Sequence, residues 1–160
     1  MLRSTLKRYT LVQSALIPFA ALALCALPAY ADECKPVHAD LVEMSATTGC
    51  DAGESSCFLG VIDGNHGLRG TTHFKADSVG TAAPTSPGSL PYSGFFQYRL
   101  TGGTITMRET GVTVPGVVTA HHRIVDATGE FAGATGDFFV SGTRVSGVIT
   151  TSIFGTLCLP

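Results

Sequence analysis

Short stretches in which apolar and polar residues alternate recur from residue 38 onward, separated by segments rich in glycine, proline, asparagine and aspartate. Valine, isoleucine, threonine, phenylalanine and tyrosine are frequent in these stretches, as is typical of β-strands, and no segment after residue 31 sustains a helical period. The pattern predicts eight strands, over residues 38–44, 57–63, 66–76, 92–101, 103–110, 116–126, 136–142 and 143–155. Eight short strands with tight connections indicate an all-β fold, either an up-and-down barrel or a sandwich.

The alternation also predicts which side chains share a face of the sheet. In the strand over 92–101, Tyr92, Phe96 and Tyr98 lie on one apolar face, and the other face is mostly polar. The strand over 66–76 divides in the same way, into an apolar and a polar, basic face. The last predicted strand, 143–155, has apolar residues on both faces. We expect both of its faces to be covered, at an oligomer interface or on the covered side of a barrel.

Two short connections and one long connection link these strands. The sequences "DGN" at 63–65 and "TGG" at 101–103 predict hairpin turns, because their residues tolerate positive φ. Residues 77–91 contain three prolines and no charge after Asp77, and they predict one long loop. Loops of this length are uncommon without a function, and we expect this one over the surface or the mouth of the fold.

The glycines at 129, 133 and 136 raise the question whether residues 128–136 bind a phosphate. A dinucleotide-binding loop has the spacing G-x-G-x-x-G and is followed by a helix. Here the spacing is G-x-x-x-G-x-x-G, and the next residues, "DFFVSGTRV", have the pattern of a strand. We therefore predict a hairpin connection in which the glycines supply positive φ and leave room for Phe131 to pack against the core.

The first 31 residues have the layout of a secretory signal peptide. Basic residues at 3, 7 and 8 precede an apolar run over 15–27, and "AYA" at 29–31 is a small-residue cleavage pattern. The run is shorter than the roughly 20 residues of a membrane-spanning helix, so cleavage after Ala31 is favoured over a membrane anchor. We expect residues 32–160 to form a single domain of a secreted or periplasmic protein that has no membrane association after cleavage.

The charge balance of this domain excludes a class of partners. Residues 1–31 hold three of the ten Lys and Arg residues and none of the twelve Asp and Glu residues. Residues 32–160 therefore carry seven basic and twelve acidic side chains, a formal net charge of −5. Nucleic acids are bound by clustered basic side chains, and no such cluster is present, so a nucleic-acid partner is not expected.

Four cysteines follow the signal peptide, Cys34, Cys50, Cys57 and Cys158. An even number in an exported chain predicts two disulfides. Cys50 and Cys57 flank a polar, turn-like segment that could close locally, which would leave Cys34 and Cys158 to join the two ends, but all three pairings stay open at this stage. A metal site is disfavoured because the cysteine spacing matches no zinc pattern, and no motif indicates a cofactor.

The last third of the chain resembles a known superfamily. The sequence "IVDATGEFAGATGDFFVSGT", followed by "SGVITTSIFGTL", is similar to the closing hairpin of allene oxide cyclases and dirigent proteins, where "GGTG-x-F-x-GA-x-G" links the last strands. Asp126-Ala127 stands where that family usually has two glycines. The motif is architectural in the family, so the resemblance bears on the fold and assigns no catalytic residue here.

The resemblance implies an eight-stranded antiparallel up-and-down β-barrel of the calycin and allene oxide cyclase type. It also implies a lumen that holds a small hydrophobic or phenolic molecule, so that the exported protein would either only bind this molecule or also direct its cofactor-free cyclisation or isomerisation. A homo-dimer or homo-trimer is the oligomeric state that the family suggests. The competing hypothesis is a non-catalytic secreted or periplasmic protein whose barrel is filled by its own side chains and whose outer face mediates association.

Basic side chains on the predicted strands are candidates for a binding or catalytic site. If His121 and Arg123 share the lumen with Arg69, His73 and Arg108, the cavity could bind a carboxylate or polarise a carbonyl oxygen, because these side chains donate hydrogen bonds to negative charge. The alternative is that they lie on the solvated outer face, with Ile124 directed inward.

Acidic and aromatic residues add further candidates. Glu109 and Glu43 are the candidate bases on the strands, and Glu109 shares its face with Ile105 and Met107, among apolar groups where a carboxylate suits proton transfer. The aromatic residues on the strands have two possible roles. They bind a ligand together with the basic residues above, or they fill the barrel as its core: Phe74, Phe96, Tyr98, Phe138 and Phe139.

Overall fold

Eight antiparallel strands account for most of residues 33–160, the part of the chain that the computed structural model describes. Each strand pairs with the next, and β1 pairs with β8 to close the barrel. The strands are β1 (Glu33–Ala46), β2 (Cys57–Gly64), β3 (Arg69–Val79), β4 (Leu90–Leu100), β5 (Gly103–Val114), β6 (Val117–Ala127), β7 (Thr135–Val145) and β8 (Val148–Leu159). The predicted all-β, up-and-down barrel of eight strands is confirmed, while the predicted signal peptide lies outside the described residues.

The boundary between the last two strands was predicted wrongly. The turn lies at Ser146 and Gly147, which have φ of 49° and 83°, and Val145 pairs with Val148 across it. Val145 therefore belongs to β7, but Val148, Ile149, Ile153 and Phe154 all belong to β8. The inner residues Ile149 and Ile153 are buried, whereas Phe154 on the outer face is about half exposed, so the expected covering of both faces is not found among the described residues. β-branched residues on both sides of a two-residue turn hid the turn in the sequence pattern. The first hairpin turn also lies slightly later than predicted, at His66 and Gly67, both of positive φ.

The two ends of the barrel differ, and we call them the closed end and the open end. The closed end carries the connections at 65–68, 101–102 and 128–134, and the open end carries those at 47–56, 80–89, 115–116 and 146–147. At the closed end a short 3-10 helix, Gly129–Phe131, places the Phe131 ring in the buried core to which Leu68 and Leu157 also belong. Gly129 and Gly133 have φ of 63° and 79°. The predicted hairpin connection with a buried Phe131 is thus confirmed.

The two disulfides pair Cys34 with Cys158 and Cys50 with Cys57. Cys34 and Cys158 are register partners of β1 and β8, so this bond lies across the seam where the barrel closes. The second bond closes the connection at 47–56. Among residues 33–160 there is no helix of the length and apolarity needed to cross a membrane.

Candidate functional site

A cavity of about 140 Å³ occupies the part of the lumen nearest the open end. The part nearest the closed end is filled by buried side chains such as Tyr98, Phe138 and Met107. Exposed Val79, Leu90 and Arg144 stand at the cavity's rim. Its walls are mostly apolar: Leu41, Phe58, Phe74, Ala76, Phe96, Val118, Ala120, Val140 and Ile149. The barrel is therefore neither empty nor fully filled.

Two glycines keep this space open. A Cβ atom at Gly111 would lie 2.6 Å from the ring and hydroxyl of Tyr92, and one at Gly60 would lie 2.6 Å from Cγ of Glu43. Because Gly60 and Gly111 have no side chain, Glu43 and Tyr92 can pack closely against the backbone of the neighbouring strands while they line the cavity. The long loop predicted over 77–91 is shorter in the structure, because β3 extends to Val79 and β4 begins at Leu90. The remaining connection at 80–89 begins and ends at this rim.

A chain of buried polar groups lines one wall of the cavity. The Tyr92 hydroxyl donates to Oε1 of Glu109 at 2.8 Å, and Nε2 of His122 lies 3.3 Å from Oε2 of Glu109. On the other side of the His122 ring, Nδ1 lies 2.8 Å from the Tyr98 hydroxyl. The side chains of His122 and Glu109 are only 1% and 6% exposed. One carboxylate oxygen of Glu109 thus accepts the hydrogen bond from Tyr92, and the other oxygen lies toward His122.

The two tyrosines determine which groups donate and which accept in this series of hydrogen bonds. Burial, together with the negative charges of Glu109 and Glu43, raises the pKa of Tyr98 well above its ordinary value. Burial first, and then Glu109, also raises the pKa of Tyr92 far above neutrality. Both hydroxyls therefore keep their protons and act as donors. Tyr98 donates to Nδ1 of His122, so in the neutral imidazole the remaining proton lies on Nε2, toward Glu109.

A second carboxyl group faces this chain from across the lumen. Glu43 lies on β1, which is opposite β5 and Glu109 in the eight-membered ring of strands. Burial, followed by the negative charge of Glu109, raises the pKa of Glu43 to about 8. The Glu43 carboxyl is therefore mostly protonated at pH 7, and it can donate a hydrogen bond.

Several buried polar atoms at the cavity have no hydrogen-bond partner within residues 33–160. A buried polar atom without a partner costs about 1–3 kcal/mol, so such atoms usually have a partner supplied by water or a ligand. Four of the five residues concerned line the cavity. The atoms are Oε1 of Glu43, Oγ1 of Thr72, Oε2 of Glu109, Nε2 of His122 and Oγ1 of Thr151.

No family model matches this chain, and no curated protein matches it.

The predicted site residues divide between the inside and the outside of the barrel. Glu109, Phe96 and Tyr98 lie inside, where Glu109 and Phe96 line the cavity and Tyr98 packs beneath it. Phe74 also lines the cavity, whereas Phe139 is half exposed on the outer wall. The prediction that Glu109 shares its face with Ile105 and Met107 is confirmed, because all three are buried in the lumen.

The basic candidates lie on the outer face, so the predicted basic lumen is wrong. Arg69 pairs with Asp63 at 2.6 Å, and Arg108 pairs with Asp77 and lies over the Phe95 ring. His73 also points outward, but the connection at 47–56 covers it, and its Nε2 lies 2.8 Å from Oε2 of Glu54.

His121 and Arg123 both contact Asp137 on β7, at 2.9 and 3.1 Å. The alternative stated above, with these two on the outer face and Ile124 packed against the core, is confirmed. The physical reason is the phase of the alternation on β6, where Val118 and His122 are the buried positions.

The structure adds His122, Tyr92 and Arg144 to the site, none of which was predicted as a site residue. Strand pairing could have identified His122 as a site residue, because it lies opposite Glu109 in the β5–β6 register and therefore shares the face of Glu109. Glu43, predicted as a candidate base, lies in the lumen. Outside the lumen, Cys50, Glu54 and Cys57 have metal-ligand atoms within 4.8 Å of one another, but both sulfurs belong to a disulfide and offer no thiolate.

Tyr98→Phe should lower the free energy of unfolding by about 1–3 kcal/mol, because it leaves Nδ1 of His122 buried without a donor. Urea denaturation of the two proteins measures the difference. In a His122→Leu background the same substitution should cost much less, since the partner is gone. Equal costs in both backgrounds would contradict the hydrogen bond between these side chains.

Proposed function

We propose that this protein is an exported β-barrel that binds a small hydrophobic or phenolic molecule in the cavity at its open end and directs a cofactor-free cyclisation or isomerisation of it. The observation that carries the proposal is an apolar cavity lined by buried carboxyl and imidazole atoms that lack partners. Apolar walls would hold a ring, and the unpartnered atoms would fix one polar substituent.

The size of the cavity favours a ligand with one ring. Its volume of about 140 Å³ is close to that of apolar protein cavities, about 150 Å³, that bind benzene. A phenol adds one hydroxyl, which can donate to Oε2 of Glu109 and accept from the Glu43 carboxyl. Arg144 at the rim, which has no ion pair among the described residues, would favour ligands with an anionic substituent directed outward.

The proposed export to an oxidising compartment has two supports. One is the signal-like sequence of residues 1–31, and the other is the pair of disulfides, which persist in secreted and periplasmic proteins and are rare in the cytosol. The resemblance to allene oxide cyclases and dirigent proteins is a further reason for a ligand in the lumen.

Ala120→Phe tests the ligand site, because a phenyl ring added at this wall position would occupy the cavity. We expect calorimetric titration with phenol and p-cresol to show binding to the wild type and none to the variant. Thr119→Phe is the matched control, since Thr119 directly precedes Ala120 on β6 and is exposed on the outer face. Binding retained by Ala120→Phe, or lost equally in both variants, would contradict the proposed site.

A second candidate function is association through the outer wall, as in the non-catalytic hypothesis. Phe139 on β7 and Phe154 on β8 are about half exposed, and their rings stack with centroids 5.8 Å apart. The His121 ring lies against Phe139 at 5.0 Å. Exposed aromatic groups of this kind are frequent in protein interfaces. A Phe139→Ser/Phe154→Ser variant that is monomeric in native mass spectrometry, where the wild type is a dimer or trimer, would support this function.

A further inference from the structure

We propose that Glu109 and Glu43 form an acid–base pair that isomerises small enolisable ketones in the cavity, an inference that rests on the ligand site proposed above. Glu109 would be the base, and Glu43 the acid that protonates the carbonyl oxygen. The substrate class follows from the site. The cavity volume fits one ring. A ketone oxygen carries no proton, so it needs a hydrogen-bond donor, and the protonated Glu43 carboxyl is such a donor.

Glu109 is held in a position that suits a base. Its Oε1 accepts the Tyr92 hydroxyl, so this oxygen is already used, while Oε2 has no aligned partner within residues 33–160 and the residue lines the cavity. Nε2 of His122, 3.3 Å from Oε2, is fixed in turn by Tyr98 through Nδ1. Restraint of the carboxylate on both sides reduces the reorganisation needed when it takes a proton.

Glu43 is suited to the opposite role. It lies on the facing wall and lines the same cavity. Its Oε1 makes no hydrogen bond of regular geometry in the described part of the chain, and the nearby Thr72 hydroxyl only partly offsets the rise of its pKa. Burial and the charge of Glu109 raise its pKa to about 8, which keeps a proton on it at pH 7. In acid–base catalysis by two carboxyl groups, their environments separate their pKa values, so that one stays protonated and acts as the acid while the other is ionised and acts as the base.

The reaction can be written for a ring ketone with a double bond one carbon further along. The Glu109 carboxylate takes a proton from the carbon between the carbonyl and the double bond, and the electron pair of that C–H bond becomes the new double bond of a dienol. The carbonyl π pair forms an O–H bond with the proton of Glu43. The Glu109 carboxyl then donates its proton to the far end of the diene, and the enol proton returns to Glu43. The product is the conjugated ketone, and no oxidant, reductant or net proton is consumed.

The pH dependence of this activity follows from the charged and titratable groups that face Glu43. Five of them line the lumen near it: Glu109 on β5, Tyr92 and Tyr98 on β4, His122 on β6 and Arg144 on β7. Because Glu43 must carry its proton, the rate should fall as the pH rises through about 8.

The test is the conversion of cyclohex-3-en-1-one to cyclohex-2-en-1-one by the purified protein, followed by the ultraviolet absorbance of the conjugated product. We expect the wild type to exceed the buffer rate, and Glu109→Gln to lose 10²–10⁴-fold of the protein-dependent rate while it still binds phenol in calorimetric titration. Glu43→Gln, which can donate a hydrogen bond but cannot transfer a proton, should lose about tenfold and should not decline through pH 8. Glu33→Gln, exposed at the far end of β1, is the matched control and should equal the wild type.

Other outcomes separate this inference from the binding function. If the protein binds phenol but its isomerisation rate equals that of buffer, the acid–base pair is overturned and the ligand site stands. The same holds if it binds phenol and Glu109→Gln keeps full activity. Unchanged activity and pH profile in Glu43→Gln overturns the role of Glu43 as the acid. Failure to bind phenol or the ketone at all contradicts the proposed function itself, and the inference fails with it.

Discussion

Glu43→Gln should remove most of the pH dependence of stability between about pH 5 and pH 8. Glu43 has a pKa of about 8 in the folded protein against an ordinary value of 4.5. In this interval the folded state holds a proton that the unfolded state releases. The associated stability is therefore fully present below about pH 4.5 and is lost as the pH rises through 8, a total of about 5 kcal/mol. The glutamine variant cannot titrate, so it should be the more stable protein above pH 8.

Urea denaturation of the oxidised protein at a series of pH values from 4 to 9 measures this difference. Glu33→Gln provides the control, because the Glu33 side chain is 73% exposed at the far end of the same strand, and it should follow the wild-type profile. A wild-type stability that rises from pH 5 to pH 8 would contradict a protonated Glu43 in the folded lumen.

Removal of the Cys34–Cys158 disulfide should cost about 5 kcal/mol, the largest stability loss that we expect from a single pair of substitutions. The bond joins residues 124 positions apart, so it restricts the unfolded chain over almost the whole domain. The Cys50–Cys57 bond joins residues only seven positions apart, and its removal should cost about 2 kcal/mol. The loss of chain entropy on cross-linking grows with loop length, which gives this order.

Serine double variants at each pair, compared by guanidinium denaturation without reductant, provide the measurement. The two pairs serve as controls for each other, because both remove two sulfurs from the same domain. A larger loss for Cys50→Ser/Cys57→Ser would show that contacts of the covering loop dominate. These include the ion pair between Asp51 and Arg99 and the hydrogen bond from Lys75 to the Ser56 carbonyl.

The parts of the fold with strong alternation could be predicted from the sequence. In β4 the apolar residues Tyr92, Phe96 and Tyr98 alternate with a face that is mostly polar, and the structure directs them inward as expected. Likewise, Glu109 could be placed in the lumen because Ile105 and Met107 precede it at a spacing of two. A period of two fixes the facing of a strand wherever one face is clearly apolar.

The facing of β6 could not be predicted with the same means. His121 and His122 are adjacent, so each face carries one imidazole, and the contrast between the faces is weak. What decides the phase is long-range pairing, with His122 opposite Glu109 and Arg123 beside Asp137. The cavity was equally hidden, because its volume depends on which side chains pack beside Gly60 and Gly111, and these neighbours come from other strands.

Closure of the barrel between β1 and β8 also bears on how the protein avoids aggregation. A sheet edge presents unpaired N–H and C=O groups that can capture another chain, and a closed barrel has no such edge. Before β1 and β8 meet, however, both are edges, and they are the most distant strands in sequence, so their pairing is the slowest kind of contact to form. The Cys34–Cys158 bond lies across this seam. In an oxidising compartment it would keep the two edges hidden once they have paired, even when the barrel opens locally.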